Sequence, residues 1–466
     1  MSSPIRAPGI RELRNIWLCR LTDRAVRPEF CDLTFGNGKI AEIRPADYRR
    51  YLRHGAPGHS LSTAESGGPG KPADGVIDAA ARVATPPLVN FHDHFYSRLA
   101  KGLALPGSMQ DFRNILKNLW WRLDRALDAD MVEASAQLGS AESLRSGVSY
   151  LFDHHSSPSF VRGSLSELGG ILSGAGLRAV LCLETSDRNK VTEACFEEQR
   201  EFIRRCADSD LRGLVGLHAP FTLSDQTLRR AADLCNELDT GIHIHLAEDA
   251  YEQRYSRDTF ACTAGVRLDR FGLLEHPGIL AHGVHLEEED WIALVRGQCA
   301  LALNPDSNLN NAVGLGRYTE LPDSLPLLAG TDGMHASVSR SVKQLFLLHR
   351  HQGGELSESF AFIRRLYFDQ VRFVRRFFPD YPDLNPGDRA DLVVWDYRPP
   401  SPLGVDTFWG HLIYGILEAP AWSVCMQGKA LLDDRRLLSI DFESVARSAA
   451  VQGERLFEKL GVTHHG

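Results

Sequence analysis

The chain has no run of 18 or more apolar residues, so nothing in it reads as a membrane-spanning helix. Its opening residues, MSSPIRAPGIREL, lack the apolar centre of a secretory signal. Positive charge is not in excess: 52 Lys and Arg stand against 60 Asp and Glu, a formal net charge of −8. A nucleic-acid binder would need a basic patch, so neither nucleic acid nor membrane is expected as a partner. The nine cysteines are odd in number, scattered in spacing and include no Cys-x-x-Cys pair. That excludes a disulfide framework and a thiolate zinc site. They are expected to be reduced thiols of a cytoplasmic protein, with Cys182 and Cys299 as core residues. There is no Gly-x-Ser-x-Gly elbow, no P-loop and no strand-anchored Gly-x-Gly-x-x-Gly. Serine-hydrolase, P-loop and dinucleotide-binding chemistries lose their usual signatures.

What is present is an ordinary globular enzyme composition, 43% hydrophobic and 24% charged over 466 residues. That length suits one large domain with a satellite. Residues from about 9 to 85 read as short strands (NIWLCRL, CDLTFGNGKIAEI, GVIDAAARVATPP), with a hairpin turn at Gly36–Gly38. The Gly-, Pro- and Ser-rich stretch 54–75 is expected to be a mobile surface loop. From 86 to 383, apolar strands alternate with helical stretches. The strands fall at 87–90, 148–153, 178–184, 213–218, 241–246, 278–286, 300–304 and 326–332. Eight strand–helix repeats predict an α/β fold, a parallel (β/α)8 TIM barrel. After Leu384, PGDRADLVVWDY and the hairpin WSVCMQGKALLDD could join the first strands. The expectation is a small β domain from residues 1–85 and 384–466, with the final helix attached to it.

The histidines gather at the C-terminal ends of the predicted barrel strands, where barrel enzymes keep their active sites. His92 and His94 lie two apart in a strand, so both imidazoles can reach one ion. An isolated His-x-His also suits an ordinary strand end. His243 and His245 form a second pair, His282 and His285 a third; His218 ends a fourth strand, and Asp332 follows an eighth. One lone histidine is usually a core or surface residue, but five strand ends offering ligand-type side chains point to a metal. Nitrogen and carboxylate donors without thiolate suit one divalent ion, zinc first, with iron or manganese as rivals. Such an ion would lower the pKa of a bound water to roughly 7, giving hydroxide at neutral pH. Asp332 could take that water's proton. Glu248 could carry it to a substrate nitrogen, unless it is simply a carboxylate at a helix N-terminus.

With these residues in view, the chain resembles the amidohydrolase superfamily over nearly its whole length. The resemblance rests on PPLVNFHDHF, HAPFT, HIHLAED, LAHGVHL, NPDSNLNNAVG, AGTDG and NPGDRADLVVWD, in that order. Within the deaminase and chlorohydrolase branch, LKNLWWRLDRALDADMV and FDHHSSP look most like selenium-associated SsnA-type aminohydrolases. HFYSRLAKG and DHH are similar to 8-oxoguanine deaminases. The resemblance implies His92, His94, His245 and Asp332 as metal ligands and Glu248 as proton shuttle. It implies His282 beside the reacting water or oxyanion, and His218 as a substrate or water contact. It also implies a β-sandwich from both chain ends, and a homo-oligomer, a dimer or larger. Asp93 stands where the family usually has Thr, Lys101 where many relatives have Arg, and Asn304 and Asp306 where Cys and Thr are usual. No lysine ends the fourth strand, which favours one metal over two.

Further pocket residues are expected from position. His154 and His155 end the second strand, and His155 is taken as a substrate contact. Trp120 and Trp121 could stack on a flat ring, Trp121 above all. Lys101 is taken as a substrate contact, and His335 is a weaker candidate. His464 and His465 belong to the tail. The expected reaction is hydrolytic deamination of an amino-substituted N-heterocycle, purine- or pyrimidine-like, by metal-bound hydroxide. Cyclic-amide hydrolysis or dechlorination of a triazine-like ring would use the same site. A non-catalytic barrel scaffold is the remote alternative.

Overall fold

A computed structural model describes residues 7–54, 75–206 and 209–462. Most of the 54–75 loop, and His464 and His465, lie outside the described residues. The described chain divides into two compact units.

One unit contains Leu88 and the residues before it, 143–149 and 378–441. Its nine strands form one mixed sheet drawn from both chain ends. Glu12–Leu21 pairs antiparallel with Val26–Gly36, which returns through the turn at Asn37 and Gly38 into Lys39–Pro45. Both turn residues have positive φ, 53° and 74°, which the Asn-Gly pair accommodates readily. Leu392–Trp395 is antiparallel both to Val83–Thr85 and to Ala421–Met426, and so joins the two ends of the chain. Ile16, Leu33, Ile40, Leu392 and Ala430 lie in one buried cluster.

The second unit holds 89–142, 150–377 and 442–466. Each of the eight expected strands is present, most as fully buried runs. Leu88–Asp93, Val148–His155, Arg178–Leu183 and Leu211–Gly213 form a four-stranded sheet. Val215–Leu217, Ile242–Leu246, Ile279–His282, Ala300–Leu303 and Leu327–Ala329 form a five-stranded sheet, parallel throughout. The fourth expected strand is thus two short ones on either side of Leu214, one in each sheet. Continuous burial explains why these strands read as apolar runs rather than alternating ones: strands of parallel sheets are buried on both faces. Isolated parallel bridges link Asp93 to Asp332 and Thr185 to Leu217.

The final helix Phe442–Lys459, expected beside the strands of the chain ends, instead belongs to the second unit. Leu456 and Phe457 share a buried cluster with Leu99, Leu123 and Met131, while Arg455 and Lys459 reach Asp128 at 3.0 and 2.7 Å. An amphipathic helix at a chain end is free to pack wherever a matching apolar face lies, and sequence order does not say which.

All nine cysteines are free and buried, including Cys182 and Cys299, which were expected in the core. Among the described residues, no helix is long and apolar enough to cross a membrane.

Candidate metal centre

His92 and His94 leave the end of Leu88–Asp93 on the same side, as their spacing requires. His94 Nδ1 donates to the carbonyl of His154 at 2.6 Å. His245 Nδ1 donates to the carbonyl of His218 at 2.7 Å. A carbonyl only accepts, so in both rings a hydrogen sits on Nδ1 and Nε2 is the nitrogen left to face a metal. On His94 the effect of burial is outweighed by the neighbouring Asp332, which raises the imidazole to about 9, so that Nε2 presents its lone pair when a metal takes the proton's place. Those two Nε2 atoms lie 3.2 Å apart. Two lone pairs aimed at one point repel unless a cation lies between them, which is the arrangement a metal-binding histidine pair shows. Asp332 Oδ1 is 2.7 Å from His94 Nε2 and 3.4 Å from His92 Nε2. His92 Nε2 is buried and makes no hydrogen bond, while its Nδ1 meets His243 Nε2 at 2.8 Å. Ligand-type atoms of His92, His245, His282 and Asp332 all lie within 4.8 Å of one another. The buried nitrogen and carboxylate set fits a divalent ion such as zinc.

Two of the polar residues stand on strained backbone. His282 has φ 79° and Asp332 φ 53°, left-handed values uncommon for residues with a Cβ. Such strain collects at functional sites. Close packing shapes the same corner. A Cβ on Gly330 would fall 2.3 Å from Asn304 Oδ1 and 2.8 Å from His92 Cβ, so only glycine lets the last strand approach His92.

His282 Nδ1 lies 2.8 Å from Asn308 Oδ1, which only accepts; its Nε2 is therefore the lone-pair side, buried and 3.6 Å from Glu248 Oε2. Glu248 is not the helix cap. Asp249 caps Ala250–Phe260, and Glu252 completes the capping box, which leaves Glu248 to face the cavity. Asn311 Nδ2 donates to Glu248 at 3.1 Å. Burial, with Asp332 close by, pushes the Glu248 carboxyl up to about 8. Burial would push Asp332 up as well, but His94 and His92 outweigh it and hold that carboxyl well below the usual range. Ser307 Oγ donates to the other Asp332 oxygen.

These groups open into one cavity. His94, His245, Asp332, Glu248 and His218 line one part of it. Tyr96, Phe112, Leu116, Trp120, Trp121 and Phe221 give apolar walls, and Asp124 and Glu184 are buried acids in the lining. The aromatic walls and the few directed polar groups suit a ring system.

The remaining expected contacts fall differently. Trp121 lines the cavity, but the Arg188 guanidinium lies over its ring at 4.4 Å, so one face is already taken. His155 is fully buried outside the lining, with Nε2 2.8 Å from Ser157 Oγ. Lys101 is also outside the lining: it is exposed and ion-paired with Glu142. His335 lies outside it too, 3.4 Å from Asp306, and His285 Nε2 meets the carbonyl of Val313 at 2.6 Å. Asp93 points away from the histidines, as an alternating strand demands, into a buried pair with Arg98 at 2.5 Å. The sequence reading assigned no role to Asn308, Asn311 and Ser307, which hold His282, Glu248 and Asp332. Their signal was the spacing 307, 308 and 311 after a strand end, one face of a short helix. Asp124 and Glu184 carried no signal of their own.

A sequence model of the Amidohydrolase family matches residues 83–363. A 5-methylthioadenosine/S-adenosylhomocysteine deaminase of Desulforudis audaxviator is 28% identical over 397 residues, 83% of this chain and 90% of that protein. An adenosine deaminase of Xanthomonas campestris, crystallised with zinc, superimposes with a TM-score of 0.76 at 20% identity over 97% of this chain and 99% of that one. A zinc-complexed atrazine chlorohydrolase of Arthrobacter aurescens gives 0.75 at 16% identity, covering 95% and 100%.

Proposed function

The chain belongs to the Amidohydrolase family, and on that premise we propose that it is a metal-dependent aminohydrolase releasing ammonia from an amino-substituted N-heterocycle, purine-like first. The observation that carries the proposal is the pair of Nε2 lone pairs of His94 and His245, 3.2 Å apart beside Asp332, in the cavity that holds Glu248. His92, His94, His245 and Asp332 would hold one divalent ion, zinc before iron or manganese. When bound, such an ion supplies a Lewis acid and brings the pKa of water to roughly 7.

The chain's own groups divide the proton work. Asp332, ionised, takes a proton from the attacking water. Glu248, whose carboxyl is pushed up to about 8, still holds its proton at neutral pH and gives it to the ring nitrogen beside the reacting carbon. His282 Nε2, with its lone pair free, accepts a hydrogen bond from that water. As the carbon–nitrogen bond breaks, Asp332 passes its proton to the departing ammonia, and Glu248 takes back a proton from the hydroxyl left on the reacting carbon. His218 and Trp121 contact the ring, and the cavity's apolar walls exclude bulk water. Oxygen replaces the amine on the product.

The scaffold for this chemistry is a closed eight-stranded barrel. The bridges at Asp93–Asp332 and Thr185–Leu217 support closure, since they lie where an open sheet would have edges. The nine-stranded sheet folds over as a sandwich, a reading supported by one core cluster that takes in residues from Lys39–Pro45 and from Lys429–Asp433. Nine reduced thiols fit the cytoplasm.

Metal analysis of the purified protein, joined to an ammonia-release screen over purines, their nucleosides, pyrimidines and pterins, tests the proposal. Bound metal and ammonia release are expected, both lost in His92→Ala and Asp332→Ala. Variants that kept metal and activity would overturn it. Chloride release or ring opening without ammonia would replace deamination with the alternative reactions at the same site.

A further inference from the structure

His154 takes no part in the mechanism above, yet it stands among the residues that do. It lies on Val148–His155 and is fully buried. Its Nε2 is 2.9 Å from the carbonyl oxygen of Leu217. That nitrogen must carry the ring's hydrogen, which leaves Nδ1 as a bare lone pair. Nδ1 is buried and has no hydrogen-bond partner among the described residues. Buried polar atoms in folded proteins nearly always have a partner, so an orphan of this kind asks for one.

The neighbours indicate what that partner is. The His154 ring centroid lies 4.6 Å from that of His245 and 5.4 Å from that of His94. Ligand-type atoms of His94, His154 and His245 all fall within 4.8 Å of one another. These neighbours are the two residues whose Nε2 lone pairs already face each other. The ring that carries the orphan nitrogen is therefore packed against both. Resting on the metal-dependent reading above, we propose that His154 supplies a further nitrogen ligand to the metal centre, through the ring nitrogen that has no partner. The donor set becomes four imidazoles and one carboxylate. That set is richer in nitrogen than the family resemblance implied, and it favours zinc or iron over manganese.

The test uses the full-length protein loaded with cobalt. Visible absorption reports coordination number, and chelator competition reports affinity, for the wild type, His154→Ala and His154→Gln. The glutamine amide can still donate to Leu217 but offers no ring nitrogen. The expected result is that both variants bind cobalt at least about tenfold more weakly. Their bands should also shift and intensify as one ligand is lost. Bands superimposable on the wild type in both variants would overturn the proposal, even with weaker binding, because His154 would then act by packing alone. If neither variant folds, X-ray absorption of the cobalt-loaded wild type counts the imidazoles directly: four support the proposal and three overturn it. A wild type that takes up neither cobalt nor zinc would instead sink the metal-dependent reading itself.

Discussion

Asn311 donates its side-chain amide to Glu248 at 3.1 Å, and the same nitrogen lies 3.3 Å from Ser307 Oγ, whose hydroxyl donates to Asp332. The two carboxyls assigned to proton transfer are therefore tied to one turn of the helix Pro305–Asn310 and its C-terminal residue.

Removing this tie shifts a pH profile. The Asn311 hydrogen bond favours the ionised form of Glu248 and opposes the effect of burial. With Glu248 as the proposed acid, activity should fall as pH rises through its folded value of about 8. In Asn311→Leu the carboxyl keeps its proton to higher pH, and the alkaline limb of kcat/KM should move upward. The maximum rate should drop by about tenfold as Glu248 loses its orientation, since a placed acid contributes about 10²–10⁴ in all. An unmoved alkaline limb would exclude Glu248 as the group it reports.

His243 Nε2 lies 2.8 Å from His92 Nδ1 and orients the His92 ring. With the hydrogen on His92 Nδ1, Nε2 is free to bind metal. His243→Leu should weaken metal binding by about 10–100-fold, the usual scale for a residue that orients a ligand. Chelator competition on the folded variant measures it.

Arg98 and Asp93 form an ion pair whose side chains are 1% and 0% exposed. Arg98→Met leaves a buried carboxylate without its cation, which costs about 3–5 kcal/mol. Denaturant unfolding should show that loss. Folded Arg98→Met should also bind metal less tightly, because Asp93 accepts the backbone N–H of His94 at 2.7 Å.

Lys101 is the control. It is exposed and pairs with Glu142 on the surface. Exposed pairs contribute about 0–1 kcal/mol, so Lys101→Ala should leave KM, kcat and metal content within twofold of wild type. A large rise in KM would restore it as a substrate contact.

The sequence by itself determined the order of eight buried strands and the convergence of His92, His94, His245, His282 and Asp332. Both follow from local rules: continuous apolar runs mark parallel strands, and side chains two apart on a strand share a direction. It also determined that Asp93 turns away. Only the tertiary structure decided which groups hold those side chains. Asn308 meets His282, Asn311 meets Glu248 across 63 positions, and His243 meets His92 across 151. Such pairings depend on how strands and loops are brought together in space, which no spacing along the chain records. The same holds for the residues the sequence misplaced. Lys101 found Glu142, and the final helix found the apolar face beside Leu99 and Leu123. His154 and His155 are adjacent in sequence and equally buried, yet only His154 has a ligand-type nitrogen among the metal-site histidines. Neighbouring strand residues face opposite ways, and the sequence alone did not say which of the two faced His94 and His245.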